Sequence, residues 1–166
     1  MVDHGYNGLK MILFRFGSDT LRAAREEFDG TAGVLGEGRW HILGTPVVYA
    51  SNSEPLSLLE KLVHRKPKAP LAYPLYIAVI PDDLIEQLHR DDYPLDWRSI
   101  YPPDSTKELG NSWLGSRAAV ALLVPSVLIT GAQGVRNCII NPLHPEFHRA
   151  KFSGPILHTV DPRMNR

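Results

Sequence analysis

Residues 36–65 read GEGRWHILGTPVVYASNSEPLSLLEKLVHR, and this stretch carries the clearest local signals in the chain. The glycines near its start permit a loop whose backbone can approach a ligand closely. The β-branched and aromatic run at 47–51 then predicts a short strand. Because side chains alternate along a strand, Val47, Tyr49 and Ser51 are expected to share one face.

A helix is predicted directly after this strand. Asn52 or Ser53 can cap its N-terminus, and Pro55 is tolerated in its first turn. Apolar residues at spacings of three and four predict a buried stripe, which consists of Leu56, Leu59, Leu62 and Val63. Glu60 lies one turn from both Leu56 and Val63, so its carboxylate is expected to lie at the edge of the apolar surface of the helix.

Two charged residues in this stretch each admit two interpretations. Glu60 fits a surface charge paired with His64 one turn later, or a site carboxylate beside the glycine-rich loop. Arg39 fits a solvated surface group, or a guanidinium that presents its planar fork to a phosphate or carboxylate. Taken alone, the residues leave both pairs of alternatives open.

Composition indicates one globular domain over residues 1–166, with a core of about 11–160 and an N-terminal extension at 1–10. The chain has 166 residues and 43% hydrophobic content, which is enough to bury a core without disulfides or metals. Its formal net charge of +0 gives no general attraction to nucleic acid or to anionic membranes. No apolar run near the N-terminus is long enough for a signal peptide or a membrane span, so we expect a cytoplasmic protein.

The single cysteine, Cys138, excludes an intramolecular disulfide and a cysteine-based metal cluster. Its apolar surroundings favour a buried, inert thiol. His144 and His148 flank Glu146, but this is not the order found in zinc peptidases, and Pro145 disfavours a regular helix across them. We therefore predict no metal site.

Outside residues 36–65, the patterns predict a mixed sheet with helices. Strands are predicted at residues 11–16, 73–80, 118–124, 127–130, 135–140 and 155–160. The strands at 127–130 and 135–140 are expected to pair around a turn at 131–134. Helices are predicted at 82–90 and 105–116, with Asp104 or Ser105 as the cap of the second.

Three further polar residues stand in apolar surroundings. Arg15 lies within the first strand, where it could bind an anion or extend its charged end past the sheet edge. Ser126 follows a buried strand and could donate to a ligand, although its position after Pro125 is more typical of a turn residue. Asn137 interrupts an otherwise apolar strand.

Four segments together resemble the RES domain, the toxin half of bacterial RES–Xre toxin–antitoxin pairs. They are GRWH with GTPVVYAS at 38–51, LSLLEKLVH at 56–64, VPSVLI at 124–129 and NCIINPLHPEF at 137–147. Their order and spacing match over roughly residues 11–151. The Arg, Glu and Ser that give the family its name fall on Arg39, Glu60 and Ser126. The chain departs from the usual family pattern at Glu37 and His41.

The resemblance implies an α+β fold, a compact domain with a mixed, mainly antiparallel split sheet and flanking helices, similar to ADP-ribosyltransferases. It implies an enzyme that binds NAD and breaks the nicotinamide–ribose bond without a metal. The reaction would be hydrolysis, phosphorolysis with phosphate, or transfer of ADP-ribose to an acceptor protein. An Xre-like helix-turn-helix antitoxin would hold the enzyme inactive.

The resemblance also implies roles for individual residues. Glu60 would stabilise the oxocarbenium-like ribose, and Arg39 would bind the pyrophosphate. Tyr49 would stack at the nicotinamide end, where Ser126 would donate a hydrogen bond. Asn137 and Arg15 are further candidates for NAD binding.

Two other classes of function compete with this interpretation. One is a catalytically inactive nucleotide-binding or interaction protein of the same fold. It is disfavoured because a protein that only binds an anionic ligand gains little from a nearby carboxylate such as Glu60. A toxin acting on RNA is disfavoured by the neutral charge and by the lack of interleaved basic and aromatic residues. We predict no direct binding to nucleic acid or membranes, and we leave open whether the protein forms a homo-oligomer.

Overall fold

The structure is a computed structural model that describes residues 8–18, 20–64, 72–129 and 134–165. Most of the predicted N-terminal extension (1–7) and of the predicted turn (131–133) lies outside these residues. Within them, no helix is both long and apolar enough to cross a membrane.

Seven strands form one mixed sheet. They are β1 (Lys10–Phe16), β2 (Val48–Ser51), β3 (Ala72–Pro81), β4 (Ile85–Gln87), β5 (Ala121–Val124), β6 (Asn137–Ile140) and β7 (Lys151–Thr159). The strand order is β4-β5-β6-β2-β1-β3-β7. Only β4 and β5 pair in parallel, and the other neighbours are antiparallel. This arrangement confirms the predicted α+β fold with a mixed, mainly antiparallel sheet.

Helices flank this sheet. The α-helices are α1 (Ala24–Glu27), α2 (Thr31–Leu35), α3 (Glu54–Val63) and α4 (Asp104–Ser116). Short 3-10 turns occupy Asp82–Leu84, Arg90–Asp92, Pro145–Arg149 and Pro162–Asn165. The predicted cap of α3 is confirmed, because the Ser53 side chain accepts a hydrogen bond from the Leu56 N–H.

Strands β1 and β2 pair over the shortest stretch in the sheet, with Phe14 opposite Ser51. One residue further along β1, the Arg15 side chain spans the junction. Its Nη1 donates to the Tyr49 carbonyl at 2.9 Å, and its Nε donates to Glu27 Oε1 of α1 at 2.9 Å. The sheet therefore consists of two halves, β4-β5-β6-β2 and β1-β3-β7, joined partly by a side chain.

The two faces of the sheet are covered differently. One face carries a single large core cluster that includes Leu13, Val48, Ala50, Tyr76, Cys138 and Phe147. On the opposite face, Trp40, Val47 and Ile139 form a cluster with side chains of α4. Phe16, Tyr73 and Leu75 form another cluster there, with Leu58 and Leu62 of α3. Helices α3 and α4 thus lie on the same face, one over each half of the sheet. Cys138 is buried, as predicted, and burial raises the pKa of its thiol.

Three predictions of local structure are wrong. Residues 82–90 are not a helix, because their backbone pairs with the free edge of β5: the Val120 N–H donates to the Leu84 carbonyl and β4 continues the pairing. Residues 127–129 do not form a strand with β6, because both edges of β6 are already paired, with β5 and with β2. No side chain caps α4, since Pro103 occupies the cap position and Ser105 donates to Asp96 instead.

The predicted buried stripe of α3 is only partly right. Leu56 is buried, but Leu59 is 39% exposed and Val63 is 59% exposed. Leu62 packs on the sheet as predicted, together with Leu58, which was not part of the predicted stripe. The helix is oriented so that the Ser57 hydroxyl accepts a hydrogen bond from the Phe16 N–H of β1. A buried serine thus replaces one leucine of the predicted apolar face.

Gly110 of α4 is required by close contact with the backbone at Trp40. A Cβ at Gly110 would lie 2.0 Å from the Trp40 carbonyl oxygen, whereas a Cβ at Gly115 would meet nothing within 4 Å. We expect Gly110→Ala to lower the free energy of unfolding by about 1–3 kcal/mol or more, because the backbone must move to relieve the overlap. Gly115→Ala is the matched control, and it should raise stability by about 0.5–1 kcal/mol. Denaturant unfolding of both variants measures this, and equal stabilities would contradict the contact.

Candidate functional site

Glu60 lies at the centre of a hydrogen-bonded group of three side chains from distant parts of the chain. Its Oε1 accepts from the Ser126 hydroxyl at 2.8 Å and from the Asn137 amide Nδ2 at 2.5 Å. These partners follow Glu60 by 66 and 77 residues in the sequence. The structure therefore brings together three of the residues singled out in the sequence.

The second carboxylate oxygen, Oε2, is left available. It accepts no hydrogen bond from the described residues, and it is not among their buried unpartnered atoms. Glu60 also makes no ion pair with His64, so the surface-pair interpretation is not the one observed. One oxygen fixes the carboxylate in place, while the other can face a ligand.

Local structure explains how Ser126 and Asn137 reach Glu60. Ser126 is 4% exposed and lies just beyond β5, and its Oγ accepts from the Leu128 N–H at 3.1 Å. It is therefore both a turn residue and a donor to Glu60, and the two interpretations of this serine are compatible. Asn137 begins β6, opposite Val124 of β5 and Ser51 of β2. Its Oδ1 is buried without a described partner, which is a costly arrangement outside a functional site.

Tyr49 belongs to a neighbouring network built around its hydroxyl group. The Trp40 N–H donates to the hydroxyl oxygen at 3.0 Å, and His41 Nδ1 lies 2.9 Å from it. His41 Nε2 lies 2.7 Å from the Gly36 carbonyl, so it carries the proton that this oxygen accepts. In the neutral imidazole, His41 Nδ1 then accepts from the Tyr49 O–H. Desolvation raises the pKa of Tyr49, so the phenol stays protonated at neutral pH.

Gly38 makes space for this network. A Cβ at Gly38 would lie 2.7 Å from the Tyr49 hydroxyl oxygen. The glycine-rich loop thus approaches a tyrosine of its own chain, which the sequence did not indicate. His41, a departure from the usual family pattern, is 3% exposed and contacts Tyr49, so it is a buried support of that residue.

Loss of the Tyr49 hydroxyl group should destabilise the fold. We expect Tyr49→Phe to lower the free energy of unfolding by about 1–3 kcal/mol, because the Trp40 N–H and His41 Nδ1 would lose their partner. Tyr101→Phe is the control, since Tyr101 is 84% exposed. Equal denaturation midpoints for the two variants would mean that the hydroxyl group has no structural role.

The Arg39 guanidinium faces backbone carbonyls. Its Nη1 donates to the Trp97 carbonyl at 2.8 Å, and its Nη2 donates to the Ser99 carbonyl at 2.8 Å. Burial lowers the pKa of Arg39, and the nearby Glu60 carboxylate opposes this shift. Arg39 therefore lies close to the site, but these donors form hydrogen bonds with the backbone of residues 97–99. Its predicted phosphate contact stays a prediction.

Arg15 lies in the sheet junction described above. Its side chain is 17% exposed and that of Glu27 is 4% exposed, so the pair is largely buried. The structure does not place Arg15 in the Glu60 group, and its predicted contact with NAD stays a prediction. Glu27, which the sequence did not single out, is its charge partner.

A cleft of about 460 Å³ opens beside Ser126. Three arginines contribute to its lining, and they are Arg90, Arg98 and Arg136. Tyr93 and Trp97 also line it. No motif in the sequence indicates this cluster, because its members come from two separate segments with acidic residues between them. Among the described residues, no group of three or more His, Cys, Asp or Glu side chains could hold a metal ion.

Comparisons with known proteins agree with the resemblance in the sequence. The RES domain family model matches residues 12–160. A "Toxin Res" of Photorhabdus laumondii is 34% identical over 84% of this chain and 86% of its own length. A "Toxin Res" of Yersinia enterocolitica is 35% identical over 76% of this chain and 83% of its own length. A "Prs ADP-ribosylating toxin" of a Sphingobium species is 29% identical over 92% of this chain and 96% of its own length.

Proposed function

Since this chain belongs to the RES domain family, we propose that it is a toxin that binds NAD and cleaves the nicotinamide–ribose bond. The observation that carries the proposal is the Glu60 carboxylate, held through Oε1 by Ser126 and Asn137 with Oε2 left available. A fixed carboxylate of this kind suits a reaction in which positive charge develops on a sugar ring.

The chemistry needs few groups from the protein. As the bond from the ribose C1 to the nicotinamide nitrogen breaks, its electron pair leaves with the pyridine nitrogen, which becomes neutral. The leaving group therefore needs no proton, and the ribose is left with oxocarbenium character. Glu60 Oε2 stabilises that charge, directly or through the ribose hydroxyl groups, while Ser126 and Asn137 hold the carboxylate in place.

Tyr49 and Arg39 complete the proposed site around Glu60. The Tyr49 ring stacks at the nicotinamide end, and its hydroxyl group is held by Trp40 and His41. Arg39 fixes the segment that carries Trp97, and it adds positive charge near Glu60. No step in this scheme draws on a metal ion.

Three acceptors can attack the ribose C1: water, inorganic phosphate, or a side chain of another protein. The name of the Sphingobium relative favours transfer to a protein as a second candidate, because ADP-ribosylation begins with the same bond cleavage. The relatives named "Toxin Res" favour the toxin role in this chain. A cognate helix-turn-helix antitoxin of the Xre type is the partner that this role requires, and the cytoplasm is where the NAD would be consumed.

Controlled expression in bacterial cells tests the toxin role. Induction of the wild-type protein is expected to arrest growth and to lower cellular NAD within the same period. The variant Glu60→Gln, produced at the same level, should do neither. Growth arrest by the wild-type protein at constant NAD would remove NAD depletion from the proposal, and analysis of labelled products would then search for transfer to a protein.

A further inference from the structure

We propose that the cleft beside Ser126 contains a binding subsite for phosphoryl oxygens, formed by Arg136 together with Arg98 and Arg90. The subsite rests on the proposed function, because it specifies where a phosphate group lies relative to the Glu60 centre. Its ligand is either the diphosphate of NAD or free inorganic phosphate, and both present the same oxyanions to arginine.

The charge of the cleft supports an anionic ligand. Three guanidinium groups line about 460 Å³, and no carboxylate is among the lining residues. None of these arginines makes an ion pair with an acidic side chain in the part of the chain that the structure describes. The nearby Asp96 is turned to α4, where its Oδ1 accepts from Ser105 at 2.5 Å. Positive charge in the cleft is therefore not neutralised locally.

Arg136 is the strongest member of the cluster. Among the residues that the structure describes, its Nε is buried without a hydrogen-bond partner, and its Nη1 reaches only the carbonyl of the preceding Val135, at 2.9 Å. A buried guanidinium donor without a partner is unfavourable unless a ligand completes it. The position of Arg136 is well fixed, because its backbone N–H donates to Asn52 Oδ1 at 2.8 Å. An anion in the cleft would give the guanidinium group an acceptor that the described side chains do not supply.

The cleft lining contributed by Trp97 and Arg98 is also held in place. The Arg98 guanidinium lies over the Trp97 ring, with its central carbon 5.3 Å from the ring centroid. The Trp97 carbonyl is in turn held by Arg39. The planar guanidinium group of arginine, with its paired N–H donors, matches the geometry of phosphoryl oxygens. The chain thus presents cations from two segments toward one cleft that also contains Ser126, the hydrogen-bond partner of Glu60.

Direct binding tests the subsite without relying on catalysis. Titration calorimetry with ADP and, separately, with inorganic phosphate would compare the wild-type protein with Arg136→Met, which keeps the apolar stem. We expect Arg136→Met to weaken binding of at least one probe by about tenfold or more, because charge-assisted hydrogen bonds are lost. Arg25→Met is the control: Arg25 is an exposed arginine of α1, and its loss should leave binding unchanged.

Stability separates a ligand role from a structural one. Removal of a buried unpartnered donor should leave the thermal midpoint of Arg136→Met unchanged or higher, while probe binding falls. A variant that loses stability and binds both probes normally would show that Arg136 serves the fold alone, and it would overturn the proposal. Wild-type protein that binds neither probe would also overturn it.

Kinetics of nicotinamide release distinguish the two sources of the phosphate. If the subsite holds the diphosphate of NAD, Arg136→Met should raise the KM for NAD and leave any phosphate dependence unchanged. If the subsite holds free phosphate, the variant should raise the phosphate concentration for half-maximal rate and leave the KM for NAD unchanged. An active variant with both constants unchanged would contradict the subsite while leaving the cleavage reaction intact. Conversely, Arg136-dependent ADP binding in a protein that never releases nicotinamide would support the subsite and contradict the proposed function.

Discussion

Substitution of Glu60 by glutamine is expected to lower kcat for nicotinamide release by at least about a hundredfold, because the variant removes the charge that stabilises the ribose cation. The fold should remain intact, since a glutamine oxygen can still accept from Ser126 and Asn137. Initial rates at saturating NAD, together with thermal unfolding of the same preparation, measure both effects. The KM for NAD should change little, because the lost interaction acts mainly in the transition state.

Glu108→Gln is the matched control for this experiment. Glu108 is an exposed glutamate of α4 and makes no ion pair with the described residues, so its substitution should leave the rate unchanged. Ser126→Ala should give an intermediate loss, because Asn137 still holds Oε1 of the carboxylate. If Glu60→Gln released nicotinamide as fast as Glu108→Gln, the carboxylate would have no part in the mechanism.

Substitution of Arg15 by methionine is expected to lower the free energy of unfolding by about 3–5 kcal/mol, because it leaves the buried Glu27 carboxylate without its partner. The same change removes the hydrogen bond to the Tyr49 carbonyl across the sheet junction. Denaturant unfolding of Arg15→Met and of the exposed control Arg25→Met measures the difference.

A double variant tests the reason for that loss. Arg15→Met with Glu27→Leu removes both charges, so it should recover much of the stability that Arg15→Met loses. If Arg15→Met were instead as stable as the wild type and defective only in NAD binding, Arg15 would be a ligand residue and not a structural one. The two outcomes decide whether Arg15 stabilises the fold or binds a ligand.

Local patterns predicted much of the sheet and one helix of the site. The alternation at residues 47–51 placed Val47 and Tyr49 on one face, and the clusters of the structure agree. The cap at Ser53 was predicted because capping depends on residues within one turn. The pairing partners of β6 and the strand at β4 were missed, because they depend on which sheet edges remain free, and that is a property of the whole fold.

The candidate site was predictable in its members but not in its geometry. Glu60, Ser126 and Asn137 could be selected from family-like segments, yet no spacing in the sequence shows that all three meet at one oxygen. The internal partners of Arg39 and Tyr49 are backbone groups and a histidine, which sequence patterns do not reveal. The arginines of the cleft carry no motif, and only the folded chain brings them to one surface.

Nicotinamide release by the purified protein is the most direct test of the central claim. The protein would be incubated with NAD, with and without inorganic phosphate, and the products separated by chromatography. We predict that NAD disappears and that an equal amount of nicotinamide forms, at a rate that depends on Glu60. NAD that remains intact in both conditions, and also with candidate acceptor proteins added, would contradict the assignment of this site to glycosidic cleavage.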